Sequence, residues 1–126
     1  MTEDEITEAL GVRLLATSGI PAVVWDNKAA APSLPYVRAE VVFVGATDRT
    51  LAGGTEVKTG FLMASIIGKL DEFTTPGLAL ARAIADQFPY GLRLSGVLIY
   101  KPSEVLRGYR DEPNWRTPVR VSFRAY

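Results

Sequence analysis

The 126-residue chain is 48% hydrophobic and 22% charged, the size and composition of one domain with its own core. Fourteen basic and fourteen acidic residues cancel to a formal net charge of zero, which argues against a dedicated nucleic-acid binder. Cysteine and histidine are both absent, which excludes disulfides, thiolate nucleophiles, Cys/His zinc sites and imidazole bases; no enzymatic activity, metal or cofactor is expected.

The acidic start, Met1-Thr2-Glu3-Asp4-Glu5, is unlike a secretory signal, and no apolar run approaches the ~20 residues that span a bilayer, so a soluble cytoplasmic product is expected. Thr2 and Glu5 have the spacing of a capping box. Ile6, Leu10 and Leu14 then recur every four residues, which predicts a helix to about Thr17, with Ser18-Gly19 and Pro21 as its stop. Ala22–Trp25 reads as a short strand and Lys28–Pro35 as a loop. Tyr36–Val44 alternates, with Val37, Ala39, Val41 and Phe43 on one face and Arg38 and Glu40 on the other. Gly45–Thr55 predicts a long, mobile hairpin connection, and Glu56–Ile67 a second long strand.

Thr75 and Pro76 have the chemistry of a helix start, and Leu80, Ile84 and Phe88, widened by Ala81 and Ala85, give that helix its apolar stripe. Pro89 and Gly91 end it. Val97–Tyr100 is a short strand candidate, Lys101–Thr117 a second long loop, and Pro118–Tyr126 a strand with Val119, Val121, Phe123 and Ala125 pointing inward. The order predicts a single α+β domain over residues 1–126: a mostly antiparallel sheet with two main helices packed on it.

The motifs carry little chemistry. Gly53-Gly54 lacks the lysine and serine or threonine of a phosphate loop and reads as a hairpin tip. Asp71-Glu72 and Asp111-Glu112 read as solvated turns, and Ser65 with Lys69 falls in a strand, which gives a Ser-Lys dyad little support. From Arg93 to Tyr126 seven basic residues stand against three acids, with Tyr109 and Trp115 among them. That composition fits a nucleic-acid face or a protein interface, and the zero net charge favours protein. On the long strands the faces that begin polar continue as Val42 and Val44 and as Leu62, Ala64 and Ile66. Either a helix covers each face of the sheet, or these five residues form a subunit interface.

The succession of a short helix, Ile20-Pro21-Ala22-Val23-Val24-Trp25-Asp26-Asn27 and a strand led by Pro35-Tyr36-Val37-Arg38 resembles the tail terminator and neck proteins of long-tailed bacteriophages. The likeness continues through the Gly-Gly hairpin, Thr59-Gly60-Phe61-Leu62-Met63, the Ala-rich helix ending at Phe88 and Val119-Arg120-Val121-Ser122-Phe123. Similar proteins occur in gene transfer agents and prophages. The resemblance implies a structural protein of the virion neck, made in the bacterial cytoplasm. It implies a ring, expected to be a homohexamer, that caps the tail tube, stops its polymerisation and meets the head-side connector. DNA would pass the lumen without specific binding, and no membrane is involved. Arg49, Gly53, Gly54, Arg107, Tyr109, Arg110, Trp115 and Arg116 are then the expected partner-contact loops. The alternatives are another neck, minor tail or head-completion component, or a small ligand- or metal-binding α+β domain.

Overall fold

The computed structural model describes residues 2–25, 33–48, 56–70 and 75–126. Helix α1 (Glu3–Leu15) begins at the expected capping box: Thr2 Oγ1 accepts from the Glu5 N–H at 3.3 Å, and Glu5 Oε1 accepts from the Thr2 N–H at 3.4 Å. Glu3 pairs with Lys58 at 3.5 Å. Hydrogen bonding to its own backbone N–H, and then the Lys58 charge, hold the Glu3 carboxyl below its ordinary value. The favourable contribution is therefore present at neutral pH and is lost as pH falls through that lowered value.

Strands β1 (Val23–Trp25), β2 (Tyr36–Asp48) and β3 (Glu56–Lys69) precede helix α2 (Thr75–Gln87). Five strands follow: β4 (Arg93–Leu94), β5 (Val97–Ile99), β6 (Glu104–Val105), β7 (Tyr109–Asp111) and β8 (Asn114–Ala125). The sheet runs in the order β1-β2-β3-β8-β5-β4, with β6 and β7 also pairing along β8. Among the described residues every pairing is antiparallel except that of β1 with β2. The α+β class and the mostly antiparallel sheet are as the sequence predicts.

Two expected loops are different. Gly45–Asp48 continues β2 and pairs with Thr59–Glu56, so only 49–55 of the expected connection remains, and it lies outside the described residues. Lys101–Thr117 is largely strand: β6, β7 and the start of β8 occupy it, and β7 turns into β8 through Glu112-Pro113. Strands β6 and β7 are too short to show alternation and take their pairing from β8, while the start of β8 pairs with β3.

Both helices bury their stripes on the same sheet face. Ile6, Leu10 and Leu14 of α1 and Ala81, Ile84, Ala85 and Phe88 from the α2 segment share one core with the inward residues of β2, β3 and β8. Fully burying each large apolar side chain there stabilises the fold by roughly 1.5–3 kcal/mol. The C-terminal ends of the helices are joined reciprocally: Arg13 Nε donates to the Gln87 carbonyl at 2.8 Å, and Gln87 Nε2 to the Arg13 carbonyl at 2.9 Å. Each side chain thus bonds a carbonyl in the last turn of the other helix, where intrahelical donors run out.

Thr17 is buried, and its Oγ1 has no hydrogen-bond partner among the described residues. Replacing Thr17 by valine keeps the shape and removes an unsatisfied hydroxyl, so unfolding should cost about 1 kcal/mol more. A thermal or urea melt checks this; a loss of stability would show that the hydroxyl is satisfied.

Candidate functional site

With both helices on one face, the other face of the sheet carries no helix among the described residues. The register decides which residues it presents. Val41 stands opposite Leu62, Ala39 opposite Ala64 and Val37 opposite Ile66, so these pairs share the helix-covered face. Leu62, Ala64 and Ile66 are accordingly buried in the core of the single chain and are not available to a second subunit. The expected five-residue interface is therefore split. Val42 and Val44 belong to the helix-free side, and their neighbours there are Phe61, opposite Val42, and Met63, opposite Glu40.

This face is apolar at its centre and charged around it. Val42, Phe61 and Met63 are half-buried, while Val44 is 70% exposed. Val44 sits where the register between β2 and β3 shifts, between Phe43 and Gly45. The bulge has a local cause: a Cβ at Gly60 would stand 2.2 Å from the Val42 carbonyl oxygen and 3.1 Å from both Phe43 Cα and the Phe123 ring. Only glycine permits that approach, and the extra residue turns Val44 outward. On the covered face, Phe43 still meets Phe123 edge-on at 6.0 Å.

A shallow cavity of about 250 Å³ opens beside the bulge, lined by Val44, Phe61, Tyr100, Lys101, Arg120 and Ser122 among others. Arg120 Nη2 reaches both carboxylate oxygens of Glu104, at 3.2 and 3.1 Å, across the β6–β8 pair. Arg124 lies over the Tyr100 ring at 4.3 Å and Lys101 at 5.5 Å, so one aromatic ring holds two cations. A flat patch with a hydrophobic centre, Arg and Tyr at its edge and no deep cleft has the make-up of a protein-binding surface.

The β7–β8 hairpin is the second exposed feature. Arg107 and Tyr109 are exposed, and Arg110 pairs with Glu112 at 3.0 Å. Trp115 and Arg116, expected beside them as contact residues, are half-buried instead. A Cβ at Gly108 would stand 2.7 Å from Trp115 Nε1, so the indole is packed against the arm's own backbone. Arg116 Nε is buried and lies 3.7 Å from Asp111. Asp111 and Glu112 thus serve ion pairs within the hairpin. Arg49, Gly53 and Gly54 lie outside the described residues. Ser65 is buried on β3, and Lys69 is four residues along the same extended strand, about 13 Å away, which is too far for a dyad.

A family model described as phage tail terminator protein matches residues 5–123. The search of curated proteins finds no match. Among solved structures, one superposes on 100% of this chain and 96% of its own with a TM-score of 0.78 and 19% sequence identity, a likeness of fold.

Proposed function

Because the chain belongs to the phage tail terminator protein family, and so has a structural role in a phage tail, we propose that it closes a ring on the end of the tail tube. The ring stops tube polymerisation and offers its other surface to the head-side connector, in the neck of the virion. The observation that carries this reading is the helix-free sheet face, where Val42, Val44, Phe61 and Met63 form an apolar centre that a lone soluble domain has no reason to display. A homohexamer is the ring size expected of this role, with DNA crossing the lumen unbound. Retention in the lumen would grow with each phosphate contact, so arginines of the β7–β8 arm belong on the ring's outer or end surfaces, against protein.

Arg107 and Tyr109 are the arm's best anchors for the tube or connector, being exposed and of the types that dominate interface energetics. Changing Arg107→Glu together with Tyr109→Ala should weaken attachment to tails by at least about tenfold and leave the melting temperature within about 2 °C. Co-sedimentation with tail tubes and a thermal melt measure the two quantities. Unchanged attachment would move the contact away from the arm. Tight, steeply salt-dependent duplex binding with no affinity for tubes would instead favour a nucleic-acid role.

A further inference from the structure

We propose that the helix-free face of one subunit receives the outer stripe of α1 from a second copy of the chain. The inference rests on the ring reading above and names the two surfaces that make its contact. The outward stripe of α1 runs Glu5, Glu8, Val12 and Leu15, at helical spacings of three, four and three. Val12 is 64% exposed and Leu15 58%, unusual for aliphatic side chains on a helix whose inner stripe is fully buried. Leu94 and Ser95 of the β4–β5 hairpin line the groove beside it. The stripe is thus acidic at one end and apolar at the other, with about 6 Å of helix rise from Glu8 to Val12.

The sheet face has the complementary layout. Lys101 and Arg124 flank Tyr100, while Val44 and Phe61 share a shallow cavity with Tyr100 and Lys101. Arg120 is matched by Glu104, which leaves two cations facing two acids, Glu5 and Glu8, across the proposed contact. Seating the stripe there places Val12 and Leu15 on Val44 and Phe61. The geometry also has the right symmetry. Helix α1 packs on the covered face, so its outer stripe and the helix-free face lie on opposite sides of one domain. Two different, complementary patches on one molecule make a heterologous head-to-tail contact, the kind that closes into rings. A two-fold dimer would need one patch that complements itself.

The cysteine-free sequence makes the test clean. Val12→Cys and Val44→Cys are both exposed substitutions and, with a short bismaleimide, report only this contact. Mixing the two single variants should give a crosslinked pair, each variant alone should give none, and the double variant should give a ladder of higher species. Separately, Glu8→Lys should reduce self-association by about tenfold or more, as should Lys101→Glu with Arg124→Glu, and combining all three should restore much of it. Light scattering over a concentration series reads this effect. Efficient self-crosslinking of either single variant, or no ladder from a folded double variant, overturns the proposal. Rings on tail ends that ignore both the crosslinks and the charge changes overturn this contact and leave the terminator role standing. A ladder from a protein that never arrests tube growth does the reverse.

Discussion

Replacing Gly60 with alanine should destabilise the domain by about 3 kcal/mol or more. An added Cβ would meet the Val42 carbonyl at 2.2 Å, and the neighbouring obstacles are backbone and the buried Phe123 ring. Nothing there is the loose end of a side chain that could swing aside. The strand must shift, the register change between Phe43 and Gly45 must adjust, and the packing of Phe123 must open. A domain of this size should then melt at least about 10 °C lower. Gly68 supplies the control, since it lies on the same strand with nothing within 4 Å of the equivalent Cβ. Gly68→Ala should leave stability unchanged or slightly raised, because glycine is a poor strand residue. Equal melting temperatures for the two variants would show that the close approach at Gly60 has no energetic weight.

Val44→Asp should abolish assembly without unfolding the monomer. The residue is 70% exposed in the single chain, so the change costs the fold little. In the proposed ring the same position would sit at the apolar centre of a contact, where an unpaired buried charge costs about 3–5 kcal/mol. That corresponds to more than about a hundredfold in association. The contrasting variant is Leu62→Ala, one strand over and on the covered face. It should cost about 2–5 kcal/mol of folding stability, as buried large-to-small changes do. Sedimentation and thermal melts together separate the two. A Val44→Asp protein that associates as well as the wild type would remove this face from the interface.

The elements that depend on neighbouring residues were legible in the sequence. The Thr2/Glu5 box, the Ile6-Leu10-Leu14 stripe and the α2 stripe from Leu80 to Phe88 all form where the spacing predicts. So does the alternation of Val119, Val121, Phe123 and Ala125 on β8. What the sequence could not carry was relative position. Val42 and Leu62 look like partners until the pairing is known, and a slip of one residue exchanges the two faces of a strand. The observed register sends Leu62, Ala64 and Ile66 under the helices and brings Phe61 and Met63 beside Val42. The bulge that exposes Val44 depends on a glycine 16 positions away in the chain, a relation invisible to any local pattern.

Strands β6 and β7 were missed for a similar reason. Strand β7 is only Tyr109-Arg110-Asp111, too short to show alternation and with the strand-favouring Tyr109 offset by Asp111, and β8 supplies the hydrogen bonds that make it a strand. The concentration of arginine and aromatic residues near the C-terminus reads in the sequence as a single partner-contact group. Burial divides that group: Arg107 and Tyr109 face outward, while Trp115 and Arg116 help to hold the arm together. The resemblance in element order is the most informative signal for the family, since it spans the same region as the family match to residues 5–123.

The central claim, that this chain forms a ring that ends a tail tube, is tested most directly by electron microscopy of tube subunits polymerised with and without the purified protein. Tubes of arrested length, each carrying a ring at one end, are the expected result, with loss of both features for Val44→Asp. Tubes that keep growing past bound protein, or that bind none of it, would contradict the claim.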